Sequence, residues 1–556
     1  MSLEGRLESW GRGWRGPALA GVVALIAGLP GLLALPPLDR DESRFAEASA
    51  QMLESGDFVS PRFQDTPRFK KPAGIYWLQA ASTAAIGRVE DRQIWTYRIP
   101  SLLGAMLAAA ACAWGAGAFL QPGASLMAGA LLGSTFLLSA EAAIAAADGV
   151  LAGAVTLAMA ALARLYLAAR GGPAAGGRVK ALFWAGLIAS VLVKGPIGPM
   201  VVVLTMIALS IWDRSGRWLK TIGWGWGLIA LLAIAGPWAM AVTVASDGGF
   251  WGASLGGDLM PKLAGAAEHH GEPPGFYILL APLMLFPATL ALPAGLLAGW
   301  RLRAEPAVRF ALCWLIPAWL VFEAVPTKLI HYPLPLYGAL AWLMAVALTK
   351  PPNSWARRIG IVLAILAALV FAALGPAALA RLGDARGSGW ALLAAGLYLL
   401  AGATMAWLAR SPARGLMLGG AAALAAHAVL LGLVLPGLRP LWLSNRAARA
   451  LSAAGASPRQ GVFPGPVTVA GYEEPSIVFL LGTDTELGDA QAAADAIADG
   501  RPAIVEARQG PAFQAALAAM GTKARRAGEG AGLDYSNGAH DVLQIFLPEH
   551  PPEAEP

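Results

Sequence analysis

Charge is what this sequence has least of. Asp, Glu, Lys and Arg make up 14% of its 556 residues, where a soluble globular domain carries about a quarter. With 57% hydrophobic residues and a mean hydropathy of +0.57, this excludes an ordinary soluble protein. Cysteine is nearly absent: Cys112 and Cys313 both lie in apolar segments, which excludes a disulfide framework and a Cys-based metal site. There is no phosphate-cradling Gly-rich motif and no nucleophile elbow in the polar C-terminal part. The net charge of +6 does not point to nucleic acid, because Lys and Arg are scattered through short loops rather than gathered with aromatics on one face. A cleavable signal with a small-residue site is also missing before Asp39, so the first apolar span is expected to stay as an anchor.

What is there is a series of apolar runs long enough to cross a hydrocarbon core. Spans are expected near 16–35, 97–119, 124–140, 146–169, 179–193, 196–212, 221–245, 276–300, 307–325, 331–349, 356–378, 389–409 and 413–436. The fold class that follows is a polytopic α-helical membrane protein of about thirteen transmembrane helices. Alternate connections are rich in Arg and Lys, from Arg6, Arg12 and Arg15 through Arg170, Arg178 and Lys180 to Arg410 and Arg414. The positive-inside rule makes these cytoplasmic and sends the 36–95 loop, the 246–275 loop and the C-terminal part to the opposite, periplasmic side of an inner membrane.

The first loop breaks the apolar pattern. DESRFAEASAQML reads as a short amphipathic helix, with Phe45, Ala48 and Met52 at helical spacing and Asp41 and Glu42 at its N-terminal end, where anions are favoured. A turn-rich connector then delivers Arg68, Lys70 and Lys71 just before a second helical pattern, AGIYWLQAAS, that holds Tyr76. The plainer reading is a solvated loop with its charges in water. Other ionisable groups cluster at the same membrane edge: Glu141 and Asp148, Lys194 in VLVKGPIGPM, Lys262 with Asp258, His269 and His270 in the second long loop, and Lys328, His331 and Tyr332 in PTKLIHYPLP. Asp148 also suits a helix cap, Lys194 a snorkelling lysine and Tyr332 an interfacial belt. Yet ionisable groups at membrane depth usually line a cavity or pathway, and all of these share one face. A metal held by His269 or His270 is conceivable, though adjacent histidines rarely both ligate one ion, and no metal is predicted.

From Arg439 the composition turns polar, and VTVAGYEEPSIVFLLG, AQAAADAIADG, RPAIVEARQG, PAFQAALAAMG and HDVLQIFLPEH read as alternating strands and helices. The expected organisation is a transmembrane unit over 1–438 and a small periplasmic α/β domain over 439–556, with a disordered Pro/Glu tail.

RDESRFAE, then SGDFVSPRF, then RFKKPAGIYWLQA resembles, in order and spacing, the first periplasmic loop of lipid-carrier-dependent glycosyltransferases with the GT-C fold. The likeness is to the lipid A aminoarabinose transferases and the protein O-mannosyltransferases (glycosyltransferase families 83 and 39). It continues in ADGVLAG, VKGPIG, EHHGEPPGFY and PTKLIHYPLP. The resemblance implies transfer of a sugar from an undecaprenyl-type phosphate carrier to lipid A, a glycan or a protein, with no cofactor required. It makes Asp41 the essential acid, Arg44 its support, Asp148 the second acidic position and Lys71 the cation for the carrier phosphate. Glu42 joins the catalytic set. Lys194, Lys262 and Lys328 join Lys71, while Arg68, Lys70, Tyr76, His269, His270, His331 and Tyr332 are expected to line the cavity. Two departures stand out: Phe45 where the pattern has Tyr, and Lys70 where the aminoarabinose enzymes carry Glu. A transporter of lipid-linked or anionic solutes is the competing class, but it predicts mid-membrane charges and repeated halves. An assembly protein working through its C-terminal domain is a third.

Overall fold

The computed structural model describes residues 3–265, 271–351, 353–382, 387–458 and 465–549. Every one of the thirteen expected apolar segments is helical there, but the count of thirteen crossings does not follow from length and composition. Among the described residues eight helices are long and apolar enough to cross a membrane, or up to ten if two bent pairs each count as one span. Those pairs, Pro122–Gly133 with Phe136–Ala142 and Phe276–Met284 with Ala288–Arg301, bend by 61° and 118°. The remainder fall short for physical reasons: Gly177–Lys194 carries three cations, and Ile197–Trp212 and Leu334–Leu348 are short. The chain is a multi-pass membrane protein.

Small residues set the crossing of Ile94–Ala116 with Ala147–Ala168. A methyl group on Gly104 of Ile94–Ala116 would run into the carbonyl of Gly149, and one on Gly153 would lie 2.5 Å from the carbonyl of Gly104. With no hydrophobic drive between helices in lipid, such backbone approach is how the bundle gains its packing.

Two helices of the first loop lie against the end of this bundle. Asp41–Ser55 begins with both acids in its first turn and closes on Gly56, whose φ of 74° suits glycine. Its inner face buries Phe45, Ala46, Ser49 and Met52, and Phe45 meets Tyr76 of the second helix, Gly74–Ile86, at 5.4 Å between ring centroids. Between them a short antiparallel hairpin, β1 (Arg62–Phe63) and β2 (Thr66–Pro67), turns the chain back.

The C-terminal part is a five-stranded mixed sheet of β3 (Thr468–Ala470), β4 (Glu486–Gly488), β5 (Ala503–Glu506), β6 (Ala524–Asp534) and β7 (Ala539–Pro548), in the order β4-β3-β5-β7-β6. β3 pairs in parallel with β4 and β5, and β7 pairs antiparallel with β5 and β6. PSIVFLL, read above within a strand stretch, forms the helix Pro475–Leu481; Pro475 suits a first helical turn and cannot donate to a ladder. β6, with sequence ARRAGEGAGLD, was not foreseen. Its sheet does not pack alone: Ala46, Ala50, Ile94 and Tyr97 share one hydrophobic core with Leu451, Val469, Phe479 and Ile545.

Candidate active site

The loop helix presents the two acids of its first turn, Asp41 and Glu42, to opposite sides. Asp41 faces outward, its side chain 71% accessible, with Arg68 Nη2 at 3.4 Å. The carboxylate is largely accessible, yet enough protein stands around it, as in a shallow recess, for burial to oppose its charge. Arg68, Lys71 and Arg44 overcome that opposition and hold its pKa below the ordinary value. Arg68 is itself buried and lies over the Phe45 ring at 4.9 Å. Tyr76 is buried beside it, with a hydroxyl that makes no hydrogen bond of good geometry.

Glu42 is not in the recess. One of its carboxylate oxygens accepts from Arg98 Nε at 2.8 Å and from the Ala145 amide at 2.7 Å, and the other from Arg98 Nη2 at 2.7 Å and from the Leu38 amide at 2.8 Å. Arg98 spends its remaining donors on the carbonyls of Leu32, Leu35 and Pro36. This corrects the expectation that Glu42 acts with the catalytic set: both its oxygens are taken, and it ties the loop helix to the ends of the first two spans. The lone arginine in IWTYRIPSLL was the overlooked signal, since an arginine inside an apolar span needs a partner.

The cations gather around Asp258 and Asp148. Lys71 Nζ lies 2.9 Å from Asp258 Oδ2, and Lys262 Nζ lies 2.7 Å from Oδ1 of the same carboxylate. Burial lowers the Lys71 pKa; Asp258 opposes that shift, while Lys194 and Lys262 add to it. Asp258 is thus a member that sequence reading placed in the loop but not in the site. Lys194 Nζ reaches Asp148 Oδ1 at 2.5 Å and sits 5.2 Å from the centre of the Tyr332 ring. His331 bridges the acids, with Nδ1 3.5 Å from Glu141 and Nε2 3.5 Å from Asp148. Asp41 and Lys71 are close enough to act electrostatically on His331, so the groups from five separate segments form one charged recess.

Glu141, Asp148 and His331 offer three ligand atoms within 4.8 Å of one another, a geometry that could hold a metal ion. The Lys194 ammonium already supplies a positive charge to Asp148 there. Lys328 stands apart: it is buried and donates to the carbonyls of Glu272 and Val325 at 2.8 and 2.7 Å, which ties the second loop to the segment before His331. That geometry makes it a brace, against the expectation that it joins Lys71 as a phosphate cation. Lys70 is exposed, Arg44 is half-buried and acts on Asp41 through charge, and His269 and His270 lie outside the described residues.

Comparison with known proteins fits this arrangement. The crystal structure of ArnT from Cupriavidus metallidurans bound to undecaprenyl phosphate matches with a TM-score of 0.72 over 95% of this chain and 97% of that one, at 18% identity. This is the GT-C fold. The Archaeoglobus fulgidus oligosaccharyltransferase tethered to an acceptor peptide shares it more distantly, with a TM-score of 0.50 and 12% identity over 86% of this chain and 64% of that one. A family model described as dolichyl-phosphate-mannose-protein mannosyltransferase matches residues 38–246 of this GT-C chain. The undecaprenyl phosphate-alpha-4-amino-4-deoxy-L-arabinose arabinosyl transferase of Pseudomonas paraeruginosa is 30% identical over 362 residues, which is 61% of this chain and 64% of that protein. The protein of the same name from Aeromonas hydrophila is 28% identical over 322 residues, 56% of this chain and 57% of that one. The chain therefore spans between about half and two thirds of the curated relatives it matches, and it resembles the aminoarabinose transferases and O-mannosyltransferases.

Proposed function

We propose that the chain is an integral membrane glycosyltransferase that moves a sugar from a polyprenyl phosphate carrier to a cell-envelope acceptor such as lipid A, on the periplasmic face. The two units would be a transmembrane part, 1–438, and a periplasmic domain, 439–556. The observation that carries this reading is the pairing, in one recess, of an open carboxylate at Asp41 with a bank of lysines on Asp258 and Asp148. The likeness to a transferase named for undecaprenyl phosphate supports the donor class.

In a single inverting displacement, the acceptor oxygen bonds to the anomeric carbon as the bond from that carbon to the carrier phosphate breaks. The bonding pair leaves on the phosphate oxygen. Lys71, helped by Lys194 and Lys262, neutralises the charge that builds there, an electrostatic contribution that is usually the largest single one. The carrier phosphate would take the place that the Asp258 carboxylate holds against Lys71. If the acceptor is a hydroxyl, Asp41 takes its proton as general base; its lowered pKa keeps it ionised for that task. If the acceptor is an ionised phosphate no proton moves, and Asp41 stabilises positive charge on the sugar. Protein O-glycosylation by the same chemistry is the second reading, favoured by the family match over residues 38–246. Lys70, standing where the aminoarabinose enzymes carry Glu, argues for a different sugar.

The test is mass spectrometry of products from polyprenyl-phosphate sugars offered with lipid A and with peptides. Lys71→Ala should slow turnover by about 100- to 1,000-fold, the loss typical of one charge-stabilising donor. Donors left unconsumed by the wild type, with Asp41→Asn and Lys71→Ala still complementing a deletion strain, would sink this reading in favour of a transporter.

A further inference from the structure

A second polar cavity system lies away from the charged recess, under the helix that joins the last span to the C-terminal sheet. That helix, Leu443–Ala453, buries Leu443, Ala447, Ala448 and Leu451. It lies directly on β6 because β6 has glycine at alternate positions. A side chain at Gly530 would come within 2.8 Å of the Ala447 amide, and one at Gly532 within 2.5 Å of the Pro440 carbonyl. Arg446 then donates to the Ala531 carbonyl. The other face of the helix, with Asn445 and Arg449, is turned toward the membrane-side ends of three spans.

Two adjoining cavities of 340 and 600 Å³ open there, and they share Pro36, Asn445 and Arg449 in their walls. Their floor is the end of the first span at Leu35, the start of the second at Trp95 and the end of the last at Leu433, which is 42% exposed. Their rim carries Arg439, Arg446 and Arg449. Among the described residues none of the three forms a salt bridge. Glu529, the one acid beside them in the larger cavity, is engaged by Arg526. This positive cluster lies on the face opposite the Arg-rich connections, where the positive-inside rule leaves arginine without a topological reason.

We infer that this groove holds the phosphate headgroup of an anionic lipid from the bilayer. The occupant follows from the chemistry of the walls. Guanidinium groups match phosphate oxygens in a planar, paired geometry. Trp95 and Leu433 give the walls apolar surface at the ends of two apolar spans, Ile94–Ala116 and Pro412–Gly437, and none of the residues that line the two cavities belongs to the charged cluster around Asp41. A soluble anion would use the arginines but not the apolar floor. The inference stands independently of the glycosyltransferase reading.

The experiment is native mass spectrometry of the full chain released from detergent, titrated with phosphatidylglycerol, phosphatidylcholine or inorganic phosphate. Phosphatidylglycerol should stay bound to the wild type and phosphatidylcholine should not. The Arg439→Gln/Arg449→Gln double variant should bind phosphatidylglycerol about thirtyfold more weakly, each arginine near a membrane surface adding roughly fivefold. The Arg439→Lys/Arg449→Lys variant, which keeps the charge, should retain most of the binding and so controls for folding. Equal binding by wild type and the Gln variant, or displacement of the lipid by millimolar inorganic phosphate, would overturn the assignment.

Discussion

Asp41 and Glu42 are neighbours in the chain and opposites in the structure. Behind the loop helix, Glu42 and Arg98 form a buried strut in which every charge has a partner and every oxygen is used. In front of it, Asp41 meets Arg68 at a loose 3.4 Å, and His331 is held between two carboxylates at 3.5 Å each. A satisfied cluster fixes geometry, whereas a loosely paired one can exchange its partners for a substrate. The difference between the two is the best structural argument for which side does chemistry.

The sharpest way to break the comparison is to remove one charge from each side. Asp41→Asn should lower turnover by about 100- to 10,000-fold, the range for loss of a general base, with thermal stability nearly unchanged because the pair it leaves is long, at 3.4 Å, and its own side chain is largely accessible. Glu42→Gln should do the reverse. It strands the Arg98 guanidinium without a carboxylate, a loss of about 3–5 kcal/mol, read as a drop in melting temperature and folded yield. Equal stability losses for the two variants would erase the distinction between strut and site.

Much of this was legible in the sequence and the rest was not for identifiable reasons. The loop helix, the gathering of Asp148, Lys194 and His331 on one face, and the mixed C-terminal domain all follow from local pattern. Glu42 could have been assigned to the inner face, since it precedes Phe45 by three residues on the same buried stripe. The ties that seat the C-terminal domain could not. Thr483 hydrogen-bonds Glu47 and Glu54, both already paired with Arg92, across more than 400 residues of chain. No periodicity carries such a contact. Nor does composition distinguish Lys328, bound to carbonyls, from Lys71, bound to a carboxylate.

A smaller effect sharpens the role of Lys71. Burial lowers its pKa, so the folded protein releases this proton at a lower pH than an ordinary lysine would. Donor binding should therefore fall on the alkaline side, starting below the usual lysine range. Lys71→Arg keeps the charge at all accessible pH values, and it should move that alkaline limb upward in a pH profile of KM for the donor. An unchanged limb would remove Lys71 from phosphate binding.

The smallest expected effect lies at the seam where the C-terminal domain meets the start of the loop helix. The Tyr535 hydroxyl accepts from the Asp39 amide at 2.7 Å, and Arg40 donates to the Ser536 carbonyl at 2.8 Å. Between them they hold Arg40 at a φ of 61°, a left-handed conformation that a non-glycine residue rarely adopts. Burial pushes the Asp39 carboxyl up to about 7, with Glu474 and Asp534 adding to the shift. The folded chain therefore binds more protons than the unfolded one between the ordinary carboxylate range and pH 7, and the seam loses stability as pH rises through that window. Tyr535→Phe should cost about 1 kcal/mol, the net worth of one hydrogen bond, and leave the pH trend in place. Asp39→Asn should flatten the trend in melting temperature measured from pH 4 to 8. Because Arg40 immediately precedes Asp41, a seam loosened by Tyr535→Phe should reach the recess as a lower kcat with no change in donor KM, whereas the Lys71 variants act on KM.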